Sequence, residues 1–130
     1  MGKDDNKLIK IAHYNMELNP IINADFESFA IYRSEGLLVH LMKRKHYTAA
    51  KYIDFLSDII EKPDYAGLYD GSIELVKCYK DNVFVSIKLD IKKKHYYVAT
   101  MFDVKKSKLD SYVKSGRLKI VNKTLMIDKR

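Results

Sequence analysis

The sequence predicts an α+β domain in which two N-terminal helices pack on a four- to five-stranded antiparallel sheet. Three observations carry that reading. Apolar residues recur at three- and four-residue spacing up to Pro63, the helical period. After Gly71 the period falls to two, the strand period. The 130 residues suffice for one buried core and not for two, so residues 1–130 form a single domain, with residues 1–7 a frayed N-terminus.

Taken in order, Lys7-Leu-Ile-Lys-Ile-Ala12 reads as a short strand, followed by an irregular stretch through Pro20 and Asn23. Ser28–Arg33 reads as a second strand by its aromatic and β-branched content. Ser34 suits a helix N-cap, with Glu35 placed to favour the helix dipole. The run Gly36–His46 then puts Leu37, Leu38, Leu41 and Met42 on one helical face. Thr48 is placed to cap a second helix, with Ala49, Tyr52, Ile53, Leu56, Ile59 and Ile60 on its apolar stripe and Pro63 as its stop. Residues 63–72, punctuated by Pro63, Gly67 and Gly71, read as a loop. Ile73–Tyr79, Val83–Ile91 and Tyr96–Val104 form a meander, joined by turns at Lys80–Asn82 and Lys92–His95. Ser107–Ser115 reads as a brief helix stopped by Gly116, and 117–121 and 124–127 as closing strands. Helices on one face of such a sheet leave the other open, and here that face is basic and aromatic.

Composition narrows the function classes. No stretch approaches the roughly 20 apolar residues that span a bilayer, and the polar N-terminus lacks a secretory signal, so no membrane role is expected. The lone Cys78 cannot form an internal disulfide; it reads as a packed, inert thiol and fits a reducing, cytoplasmic compartment. There is no glycine-rich phosphate loop and no zinc-type spacing, and the carboxylates are scattered, so no cofactor and no metal is expected. Charge is lopsided. Residues 92–130 hold twelve Lys/Arg against three Asp/Glu, while residues 1–91 hold twelve against fourteen, giving +9 and −2 for the overall +7. A basic C-terminal third suits a polyanionic partner such as RNA.

The densest cluster of reactive side chains is His40, Lys43, Arg44, Lys45, His46 and Tyr47. On a helix His40 and Arg44 share a face with Tyr47, whereas His46 lies about 120° from His40 unless the helix ends near Lys45. Cleaving RNA without a metal takes a base for the 2′-hydroxyl, an acid for the departing 5′-oxygen and cations on the phosphorane. Imidazoles suit the first two roles and Lys or Arg the third. Lys77 inside an apolar strand, Thr100 in Val98-Ala-Thr-Met-Phe102, and Tyr96 and Tyr97 as stacking platforms complete the candidates. A solvated helix end, a solvent-facing strand lysine and ordinary sheet packing account for the same residues without chemistry.

In order along the chain, His40-Leu-Met-Lys-Arg-Lys-His46, Ile59-Ile-Glu-Lys-Pro-Asp-Tyr65, Ser72-Ile-Glu-Leu-Val-Lys77, Asp81–Leu89, Tyr97-Val-Ala-Thr100, Lys108-Leu and Ser115-Gly-Arg-Leu-Lys119 form a recognisable series. Over about residues 30–120 it resembles the phage-associated nuclease-like domains of the barnase–EndoU–colicin–RelE group. The resemblance implies helices packed on a four-stranded antiparallel sheet and a metal-independent endoribonuclease. Such an enzyme, a toxin or phage effector, cleaves tRNA or another structured RNA by 2′-hydroxyl attack to leave a 2′,3′-cyclic phosphate. Carried over, His40 and His46 become acid–base residues, Arg44 and Lys77 phosphate binders, and Thr100 a hydrogen-bonding partner. Lys43, Lys45, Tyr47, Tyr97, Lys108, Arg117 and Lys119 become the nucleic-acid contacts, and an antitoxin or host protein a further partner. Such domains often carry a tight Lys-Arg-His, and here Lys45 stands between Arg44 and His46. Two other readings stay open: a non-catalytic nucleic-acid-binding module, and an interaction protein that inhibits a host enzyme or defence complex through tyrosines such as Tyr65 and Tyr69.

Overall fold

The structure, a computed structural model, describes residues 7–121; residues 1–6 and the strand expected at 124–127 lie outside the described residues. Lys7 is already tied down, its carbonyl accepting the Glu35 N–H at 2.8 Å. Among the described residues seven strands build one sheet: β1 (Leu8–His13), β2 (Ala30–Ser34), β3 (Tyr65–Tyr69), β4 (Ser72–Cys78), β5 (Asn82–Asp90), β6 (His95–Asp103) and β7 (Lys119–Ile120). Their order is β1-β2-β6-β5-β4-β3-β7, antiparallel throughout except where β2 lies parallel to β6. Five short helices are interspersed: α1 (Asn19–Ile22), α2 (Leu37–Lys43), α3 (Tyr47–Ala50), α4 (Leu56–Glu61) and α5 (Lys106–Lys114).

The α+β class stands, but the sheet is larger than predicted, it is mixed, and its helices are not confined to the N-terminus. The N-terminal β1–β2 pair extends the meander because Ile31 aligns with Tyr96 and both side chains enter the core. A parallel neighbour requires a long crossover, which α2 through β5 supply. Residues 65–69 are a strand rather than part of a loop. Asp70 and Gly71, at φ 50° and 78°, make a two-residue turn of the left-handed kind that matches strand twist, so Tyr69 faces Ser72. The expected second helix is broken into α3, a 3-10 turn at Ile53–Phe55, and α4. Tyr52, at φ −104°, leaves the helical path; its ring stacks on Tyr79 with centroids 5.1 Å apart and its hydroxyl donates to Asp81 at 2.9 Å. Bonding to the Asp81 carboxylate holds the Tyr52 hydroxyl above its usual range. On α2 the stripe is narrower than predicted: Leu37 and Leu41 are buried, while Leu38 and Met42 are exposed.

Two cores flank the sheet. Ile73, Leu75, Val85, Ile87, Tyr96 and Met101 pack against the side carrying Leu37, Leu41, Leu56, Ile59 and Ile60. Each such fully buried aliphatic side chain contributes roughly 1.5–3 kcal/mol. Tyr96, offered above as a stacking platform, is a core residue whose hydroxyl donates to the Glu27 carbonyl. Burial pushes both Tyr96 and its neighbour Tyr14 up to about 12. On the opposite face Tyr65, Val76 and Phe84 pack under Leu109 and Leu118, with Phe102 and Tyr112 at the margin. The open face predicted from the sequence is therefore half closed: α5 covers β3, β4 and the Phe84 end of β5 and leaves the Lys88 end of β5 with β6, β2 and β1.

Candidate functional site

The site begins where β2 and β6 part. Their pairing stops at Tyr32 opposite Tyr97, so the next stretch of the β6 edge is left to the chain that follows β2. The Ser34 hydroxyl accepts the Gly36 N–H at 3.0 Å and turns the backbone into α2. His40 and Lys43 project from α2 and line, with Ser34, Val39, Val98 and Ala99, a cleft of about 380 Å³.

α2 ends in a Schellman turn. Lys45 takes a left-handed conformation, φ 62°, its N–H bonding the Met42 carbonyl while the His46 N–H bonds that of Leu41. This answers the angular question raised by the sequence, because the helix stops before His46 and the chain redirects it. The half-buried His46 ring lies 6.1 Å from that of Phe102 on β6. His40 therefore shares a cleft with Ala99 of β6, and His46 lies against Phe102, three residues further along the same strand, with Thr100 between these two positions in sequence.

Thr100 reaches the open face because β6 is bulged. Ser86 pairs with Thr100 and Ile87 with Val98, so the extra residue Ala99 turns Val98 inward and Thr100 outward. Ser86 in turn pairs with Glu74, giving a polar row Glu74–Ser86–Thr100 across three strands. Glu74, 4% exposed, is gripped by Arg117 in a two-pronged fork at 2.8 and 2.7 Å. The guanidinium lies 3.7 Å from the Tyr69 ring and 4.2 Å from that of Tyr112, and the Glu74 bond raises its pKa further. Gly67, opposite Glu74, makes this approach possible: a Cβ there would overlap the Arg117 carbonyl oxygen.

The predicted residues thus divide. His40 and Lys43 share the cleft; Thr100 follows Ala99 of its lining in sequence but faces the open side, opposite Ser86. Arg44 and Lys45 are exposed on the turn, Tyr47 is exposed at the start of α3, and Tyr97 is half-buried on the open face. Lys77 is not brought to them. It emerges on the helix-covered side of β4 beside α4, donating to the Lys62 carbonyl at 2.7 Å with Asp58 at 3.9 Å. Beside it the Tyr79 hydroxyl donates to Asp58 at 2.6 Å, and burial, then that bond, raises its pKa well above the usual tyrosine range. Lys108, Arg117 and Lys119 belong to the α5–β7 end, Lys108 lying 5.4 Å over Tyr112. Sequence reasoning passed over Glu74 and Ser86. Alternation alone put Glu74 on the face opposite Ile73 and Leu75, but only strand pairing sets it beside Ser86. Among the described residues no group of three or more His, Cys, Asp or Glu side chains is placed to hold a metal ion.

A family model described as phage-Barnase-EndoU-ColicinE5/D-RelE like nuclease3 matches residues 9–111. No curated protein and no solved structure matches the chain.

Proposed function

The chain belongs to this phage-associated family of Barnase–EndoU–Colicin–RelE-like nucleases, and from that premise we propose that it is a metal-independent endoribonuclease, a toxin or phage effector acting on tRNA or another structured RNA. The observation that carries the reading is the α2–β6 cleft, where His40 and Lys43 line one space with the Ala99 bulge. A phosphodiester held there meets an imidazole and a cation. One imidazole takes the 2′-hydroxyl proton as that oxygen bonds phosphorus. The P–O5′ bond breaks, and a second imidazole returns a proton to O5′. A 2′,3′-cyclic phosphate and a 5′-hydroxyl remain, balanced in atoms and charge. His40 and His46 fill the two imidazole roles; Lys43 and Arg44 offset the charge of the phosphorane.

The test is incubation with total tRNA in EDTA, with 3′ ends read by mass spectrometry. Cyclic-phosphate ends from the wild type, and their loss in His40→Ala, are expected; intact RNA, or undiminished cleavage by His40→Ala together with His46→Ala, defeats the reading.

One observation favours a protein partner instead: Leu38, Val39, Met42 and Tyr47 form an exposed apolar ridge, from 43% to 57% exposed. Tyr65, expected to anchor such a partner, is buried, and Tyr69 already backs Arg117. Capture of one host protein from nuclease-treated lysate, lost in Met42→Glu, would support this alternative.

A further inference from the structure

Strand register places four side chains in one line across the open face. Lys10 pairs with Tyr32, Tyr32 with Tyr97, and Tyr97 with Lys88, across β1, β2, β6 and β5. All four point away from the helices, because their neighbours Ile31, Tyr96 and Ile87 are buried on the other side and Leu89 packs there too. At ordinary strand spacing the row is about 14 Å long, two rings between two ammonium groups. Lys10 and Lys88 are exposed and both tyrosines half-buried. Neither tyrosine hydroxyl has a hydrogen-bond partner among the described residues. His95 adds a third ring, its centroid 4.8 Å from that of Tyr32. The adjoining β5–β6 turn carries Lys92, Lys93 and Lys94, and the one acid there, Asp90, accepts the Lys93 N–H at 3.1 Å.

We propose that the row Lys10–Tyr32–Tyr97–Lys88 is a subsite for an unpaired stretch of the RNA strand, its bases stacking on the two rings and its phosphates held by the two lysines. Flat rings with unused hydroxyls accept any base through its π-face, and flanking cations match the phosphates on either side. A duplex keeps its bases stacked inside and offers the rings nothing. Tyr97 directly precedes Val98 of the cleft lining, and Tyr32 stands two residues before Ser34, so the row ends within two residues of the cleft on both strands. The subsite rests on the nuclease reading for its biological ligand, and it extends the substrate requirement from RNA to RNA with an unpaired segment beside the cut.

The probe is a fluorescein-labelled twelve-nucleotide 2′-O-methyl RNA, which has no 2′-hydroxyl and is not cleaved, compared with the same sequence closed into a hairpin duplex. Tighter binding of the open strand is expected. Tyr97→Ala and Tyr32→Ala should each weaken it by about 5- to 150-fold, while Tyr97→Phe and Tyr32→Phe restore it. Lys10→Ala and Lys88→Ala should each flatten its salt dependence by about one phosphate contact. Equal affinity for strand and duplex, or unchanged binding in folded Tyr32→Ala/Tyr97→Ala, overturns the subsite. Cleavage of ordinary RNA that survives those substitutions sinks the subsite and spares the nuclease. Stacking-dependent binding without any cleavage does the reverse. The Lys and Phe variants leave an answer even where an alanine variant fails to fold.

Discussion

Arg117 and Lys43 are both basic side chains beside the sheet, yet their situations are opposite. Arg117 has its donors fixed on a buried carboxylate and its faces covered by Tyr69 and Tyr112. His40 and Lys43 line an open cleft. A basic sequence states how many cations a chain has and not how many are already committed. Buried carboxylates decide that, since a charge removed from water has to find its partner inside the fold.

The contrast is broken most directly at its two ends. His40→Ala should lower RNA cleavage by about 10²- to 10⁴-fold, the usual contribution of a general acid or base. It should leave the denaturant midpoint within about 0.5 kcal/mol, as for an exposed residue. Arg117→Ala should do the converse. It strands the Glu74 carboxylate and should cost up to about 3 kcal/mol, the lower edge for a broken buried pair because the arginine side chain keeps 22% of its surface exposed. The rate per folded molecule should hold. Arg117→Met with Glu74→Gln should recover part of the stability in a double-mutant cycle. An arginine that also touches RNA would instead lower the salt slope of binding by about one in the folded variant.

How much of this was legible beforehand follows the same line. The meander, α5 with its stop at Gly116, and the buried strand faces are written in local periodicity, which pattern reading detects. The Asp70–Gly71 turn was equally local and was masked by Gly67, whose role is to admit the Arg117 backbone. The parallel β2–β6 pair was not legible, because more than sixty residues separate Ile31 from Tyr96 and nothing in either segment names the other. Of the site, the α2 cluster is contiguous and could be seen. The Glu74–Ser86–Thr100 row and the fork on Arg117 depend on which strands become neighbours, and Lys77, placed on the helix-covered side by alternation with Ile73 and Leu75, is held there by the Lys62 carbonyl.

Two adjacent tyrosines carry the comparison into pH. Tyr96 is committed to the core through the Glu27 carbonyl, while Tyr97 looks out from the open face. Tyr96 and Tyr14 are raised from 10.0 to about 12, so the unfolded chain loses these protons first. Their joint contribution to stability is full below pH 10 and is lost as pH climbs towards 12, on the order of 1 kcal/mol or more by pH 11. Urea midpoints at pH 8 and pH 11 should therefore differ, and Tyr96→Phe should shrink the difference. A difference as large in Tyr96→Phe as in the wild type would remove Tyr96 from that account.

The smallest effect concerns Lys45, a lysine standing where a left-handed turn favours glycine. A side chain there costs about 1 kcal/mol, so Lys45→Gly should raise stability by that amount. Were the turn only a hinge between α2 and α3, this substitution would improve the protein at no loss. If the exposed ammonium holds a phosphate of RNA in the neighbouring cleft, the more stable variant should bind the uncleavable strand with a salt slope lower by about one. Lys45→Ala separates the two contributions, since it removes the charge and keeps the strain. A stability gain in Lys45→Gly with an unaltered salt slope would place Lys45 with Arg117, among the cations that serve the fold and not the ligand.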